Sequence, residues 1–175
     1  MSTRATITFR DKYETVHVYK HSDGYPLQPG KGWWGILRML KFFFIITNKF
    51  APNSTRFTDC TMLAARFAAF IYSLNDYVND WDSKSKKTAI PKFLSEGVRI
   101  VAEPTSDTAY HYIVDCDSVC ALGYPTVTVV PKYGDESPYT VDFKSVRLQA
   151  KQRADWHNRV LQGSAPSYTV KSKEW

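Results

Sequence analysis

The stretch VYKHSDGYP (Val18–Pro26) and the residue before it bring His17, His21 and Asp23 together within a few positions. His17 and His21 share one face of a strand, because successive strand side chains alternate. Asp23 follows the strand end, where a turn could fold it back to orient His21. Arg4, on a neighbouring strand, would add a planar fork suited to phosphate or carboxylate. Three readings are open. Asp-Gly is a common turn dipeptide, so the motif could simply end a strand. It could clamp an anionic ligand with Arg4, Thr6, His17, Tyr19, His21, Asp23 and Tyr25. It could also form a general acid/base site from His21, Asp23 and Arg4. The turn comes first among these and catalysis last.

Other chemistry is sparser. A metal needs three or more converging ligands, and His111 would join His17, His21 and Asp23 only if its strand neighbours theirs. No metal and no cofactor is expected. Cys60, Cys116 and Cys120 form no even framework, and Cys116-x3-Cys120 lacks a second ligand pair. Reduced thiols in a cytosolic compartment are the simpler reading.

The 175 residues carry a net charge of +6, with 15% aromatic residues and 11 tyrosines. A basic chain of this kind suits anionic partners. Two clusters are candidate nucleic-acid contacts: Lys84, Lys86 and Lys87 in one, Arg147, Lys151 and Arg153 in the other. Tyr77, Trp81 and Trp156 lie near them, and mixing cations with aromatics suits single strands or nucleotides. No Gly-rich phosphate loop, helix-turn-helix signature or zinc finger accompanies them.

The elements that must position these residues read as α+β. Ala5, Ile7 and Phe9 alternate with Arg4, Thr6, Thr8 and Arg10, and Thr15–His21 alternates again, predicting an N-terminal β-hairpin. A Pro/Gly-rich loop leads to a helix over Ile36–Phe50. Its apolar arc is wide, and Ile45 interrupts the stripe of Arg38, Lys41, Asn48 and Lys49. Such a helix is either deeply packed or covered by a partner, so Trp33, Trp34, Phe42 and Ile45 are candidate interface residues. A core helix starts near Asn53-Ser54 or Thr58-Asp59. Strands follow over Val98–Glu103, Thr108–Asp115 and Thr126–Lys132, with a further one at Tyr139–Phe143. A last helix is predicted over Ser145–Gln162. Short links between strands imply a mostly antiparallel sheet with the two central helices packed on it and a C-terminal helix. The expectation is one domain over 1–163 and a tail over 164–175. Arg38 and Lys41 break the one long apolar run, so no membrane span is expected. MSTRATITFRDK has strand alternation in place of an export signal's apolar region.

The Thr3-Arg4 strand followed by Tyr19, His21, Asp23, Gly24, Tyr25 and Pro26 resembles a family of small bacteriophage and prophage proteins. These begin with a Thr-Arg strand and continue with a Tyr-x-His-x-Asp-x-Tyr-Pro turn. DTAYHYIVD (Asp107–Asp115) is similar to a second strand of that family. The resemblance implies phage origin and brings no activity with it. By analogy it implies an accessory protein of host takeover or counter-defence in the host cytoplasm. Such a protein would inhibit a host protein or sequester an anionic nucleotide-type ligand. A small His/Asp-dependent hydrolase or nuclease and a nucleic-acid binder are the alternatives.

Overall fold

Asp11 makes the first turn. Its carboxylate accepts the amide hydrogens of Tyr13 at 2.8 Å and Glu14 at 2.9 Å. This folds β1 (Ala5–Arg10) onto β2 (Thr15–Lys20) as the predicted antiparallel hairpin, Ile7 opposite Val18 and Thr8 opposite His17. The computed structural model describes residues 3–22, 24–27, 35–50, 57–82 and 97–148, with the backbone alone at 50 and 72–82.

The chain continues through α1 (Ile36–Phe50), α2 (Cys60–Asp82), β3 (Val98–Val101), β4 (Tyr110–Val119), β5 (Pro125–Pro131) and β6 (Tyr139–Thr140). The class is α+β, with a six-stranded sheet in the order β3-β2-β1-β4-β5-β6. Four of its pairings are antiparallel, but β4 lies parallel to β1, so the sheet is mixed. The eight-residue link between β3 and β4 is not a hairpin. It carries the chain from the sheet edge across β2 and β1, and Thr105 meets Thr6 on the way, at 3.3 Å between hydroxyls. The reason is burial. β4 hides Tyr112, Val114 and Cys116 on one face and half-buries His111, Ile113 and Asp115 on the other, which suits a central strand. β3 leaves Arg99 and Ile100 exposed, which suits an edge.

Ala5, Ile7, Phe9, Val18, Tyr112, Val114, Val127 and Val129 form the inner face under the helices. Asp59, one of the two predicted caps, accepts the Met62 amide at 2.8 Å and starts α2. α1 is deeply packed within its own chain. Phe42 is buried against Phe70, Phe43 meets Phe67, and Phe44 meets Phe57 and Phe143. Part of the polar stripe is covered as well. Lys41 Nζ donates to the carbonyls of Phe143 and Val146 at 2.6 and 2.7 Å, and Arg38 Nε donates to that of Arg147 at 3.2 Å. Where the last helix was expected to begin, Phe143–Ser145 is a turn and Val146–Leu148 is irregular. The remainder of that helix lies outside the described residues, as does the 164–175 tail. Among the described residues no helix is long and apolar enough to cross a membrane.

Asp11 also accepts the Cys60 amide at 3.1 Å, tying the hairpin turn to the start of α2. The amides of Tyr13, Glu14 and Cys60 together hold its carboxyl down at about 2. A depressed carboxyl stabilises the fold above its ordinary value of 3.8, and that contribution disappears as the pH falls through about 2. Asp11→Ala should therefore melt at a lower temperature at neutral pH, with the gap to the parent protein closing on acidification. Thermal melts from neutral pH down to about pH 2 test this. A gap that stays constant across the range dismisses the account.

Candidate functional site

The sheet face away from the helices carries the polar residues. Alternation sends Thr6 and Thr8 from β1, His17 and Tyr19 from β2, and His111 and Ile113 from β4 to this side. Thr8 sits between the two histidines. Its Oγ1 is 2.8 Å from His17 Nδ1 and 2.6 Å from His111 Nε2. The threonine is only 4% exposed, whereas both imidazoles are half-buried. Thr6 is fully covered where the β3–β4 crossover passes over it.

Both imidazoles are held neutral. Burial, the Lys132 ammonium and His17 bring His111 down to about 4. Burial lowers His17 as well, against an opposing pull from Glu103. Neutral rings sharing one hydroxyl have no Coulomb attraction to offer an anion, but they can give and take hydrogen bonds.

The opening motif separates into three pieces. Tyr19 OH lies 3.1 Å from His21 Nδ1, and the Arg99 guanidinium sits 4.8 Å over the Tyr19 ring. His21 donates its backbone N–H to Gly97 O at 2.9 Å, and its Cβ occupies the space a side chain at Gly97 would need. Arg4 is engaged elsewhere, in an exposed ion pair with Asp107. Gly24 donates its N–H to Thr3 O at 2.8 Å and accepts the buried Tyr112 hydroxyl at 2.7 Å. Tyr25 and Pro26 then give their carbonyls to the amides of Ile36 and Leu37, which start α1. The Tyr25 ring packs 6.4 Å from that of Tyr110. Asp23 lies outside the described residues.

No protein-family model matches the chain. No curated protein and no solved structure matches it either. The site's chemistry therefore rests on its own geometry.

The predicted clamp is split accordingly: His17 joins Thr8 and His111, His21 joins Tyr19 and Arg99, and Arg4 joins Asp107. The condition set for His111 holds, since β4 does neighbour the hairpin. Among the described residues, however, no group of three or more His, Cys, Asp or Glu side chains could hold a metal ion. Burial pushes the Cys60 thiol up to about 11 and the Cys116 thiol up to about 12, so both are protonated and inert at neutral pH. Of the predicted nucleic-acid contacts, Arg147 is exposed and lends its backbone carbonyl to Arg38. Lys84, Lys86, Lys87, Lys151 and Arg153 lie outside the described residues. So do Trp33 and Trp34 of the predicted interface, while Phe42 is spent on the core and Ile45 is half-buried.

Sequence reasoning left Thr8, Arg99, Glu103 and Lys132 out of the candidate site. Thr8 was visible as a polar residue on the right face. The signal that would have singled it out is the side-by-side arrangement of three strands, which needs the crossover.

Proposed function

We propose that this is a phage accessory protein that works by binding, and that its ligand lies on the sheet face opposite the helices. The observation that carries the reading is the pair of half-exposed, neutral histidines joined through Thr8. A general base works best with a pKa near the operating pH, and His111 at about 4 is far below it. The hydroxyl between the rings is buried, which disfavours it as a nucleophile. Recognition suits such groups better than turnover does. Lys132 beside His111, and Arg99 further along the face, support an anionic nucleotide-type ligand. Phage origin and a place in the host cytoplasm rest on the resemblance of Thr3–Pro26 and Asp107–Asp115.

The test is a double substitution, His17→Ala with His111→Ala, assayed by calorimetry against a nucleotide panel and by affinity capture from host lysate. Loss of two hydrogen-bonding rings should weaken binding by at least about tenfold. Unchanged binding in the double variant rejects this face. A hydrolytic activity that disappears in His21→Ala would put the hydrolase reading of His21, Asp23 and Arg4 in its place.

A further inference from the structure

Thr8 has one hydroxyl proton and two imidazole nitrogens beside it. In one arrangement it donates to His111 Nε2 and accepts from His17 Nδ1–H. In the other it donates to His17 Nδ1 and accepts from His111 Nε2–H. The first makes both rings Nδ1–H tautomers and the second makes both Nε2–H. A third arrangement, with Thr8 accepting from both rings, would leave its buried hydroxyl proton unpartnered, so the two histidines choose tautomers together.

Their outer nitrogens, His17 Nε2 and His111 Nδ1, make no hydrogen bond within the described residues and are not completely buried. Whichever arrangement holds, one of them offers a proton and the other a lone pair. Each neutral ring keeps one proton in either arrangement, so the outward donor and the outward acceptor exchange together. Ile113, opposite Thr8, and Val130, opposite His111, are half-buried on the same face and give the site an apolar floor.

We infer that this pair is a recognition site for an uncharged, nucleobase-like nitrogen heterocycle, with one histidine giving a hydrogen bond, the other taking one, and Lys132 receiving an attached phosphate. The inference rests on the binding role proposed above and names its ligand class. A heterocycle carrying both an acceptor and a donor matches the polarised pair, and its flat face suits the aliphatic floor. Inorganic phosphate has no flat apolar face for the floor, and the neutral rings offer it no Coulomb attraction.

The experiment uses the full chain labelled with 15N. Imidazole spectra without ligand should show His17 and His111 as the same tautomer, both Nδ1–H or both Nε2–H. One Nδ1–H ring beside one Nε2–H ring overturns the bridge outright. Titration follows with the four ribonucleosides, their 5′-monophosphates, ribose 5-phosphate and inorganic phosphate. Nucleosides should shift both rings, and the monophosphates should bind more tightly, a gain that Lys132→Ala removes. Thr8→Val should weaken nucleoside binding by about tenfold or more, while Thr8→Ser, which keeps the hydroxyl, restores it. Circular dichroism confirms that both variants fold. If ribose 5-phosphate or phosphate binds as tightly as the nucleotides, the heterocycle assignment falls and the binding face survives. If nothing in the panel shifts either ring, the assignment also falls. The wider reading is then decided by whether the histidine double variant still captures what the parent protein captures.

Discussion

Phe44→Ala is expected to destabilise the protein by about 3–5 kcal/mol, the usual cost of removing a fully buried aromatic ring. Phe44 is 0% exposed, and its ring meets aromatic rings from three separate parts of the chain beyond α1. Its ring centroid lies 5.7 Å from Phe57 ahead of α2, 5.7 Å from Tyr124 in the β4–β5 turn, and 5.6 Å from Phe143 after β6. The Phe57 and Phe143 rings meet it edge-on, at 84° and 85°. These are small neighbourhoods that cannot collapse together into one gap, so the cavity term should be near its upper range. Against a typical total of about 5–15 kcal/mol, the loss is a large fraction. One turn earlier, Lys41 holds the carbonyls of Phe143 and Val146, so the Val141–Val146 segment should loosen with the ring. Urea denaturation measures the effect, with half-buried Ile45→Ala as a smaller comparison. A loss below about 1 kcal/mol would mean that α1 is not packed as described. Its apolar arc would then again be available to a partner.

That arc shows how far the sequence alone could go. Ile36–Phe50 was legible as a helix with too much apolar surface for one side. What was not legible was its cover, which comes from Phe57 and α2 on one side and from the Phe143–Arg147 segment, about a hundred positions away, on the other. The hairpin was legible in full, since alternation and the Asp11 turn are local signals. The central place of β4 was not. The four residues between the strands expected at Val98–Glu103 and Thr108–Asp115 read naturally as a hairpin link, and only the burial demands of the two strands send one to the edge and the other to the middle. The candidate site inherits that gap. His17 and Thr8 are hairpin neighbours and could be placed together from alternation. His111 reaches them only through the parallel β1–β4 pairing, so the bridged pair was beyond the pattern. The Arg4 ion pair was out of reach for a related reason: its partner, Asp107, arrives on the same crossover.

Gly24→Val is expected to cost about 2–5 kcal/mol, from overpacking together with a strained or broken buried hydrogen bond. A Cβ at this position would lie 2.8 Å from Ala5 Cβ and 2.8 Å from the Arg4 carbonyl carbon. Backbone on β1 cannot swing aside as a long side chain can, so the turn itself must move. Moving it pulls the Gly24 carbonyl from the Tyr112 hydroxyl, which is buried and held to it at 2.7 Å. It also strains the carbonyls of Tyr25 and Pro26 that receive the first amides of α1. Tyr112→Phe isolates one part of this, removing the hydroxyl while keeping the ring, and should cost about 1 kcal/mol. Chemical denaturation of both variants, read beside ligand binding per folded molecule, decides what the Asp-Gly-Tyr-Pro stretch is for. If stability falls and binding is retained, the stretch is a structural corner that seats β1 and launches α1. If binding falls at unchanged stability, the stretch is a clamp after all. The geometry favours the corner, because among the described residues the hydrogen bonds of Gly24, Tyr25 and Pro26 are made to the fold itself.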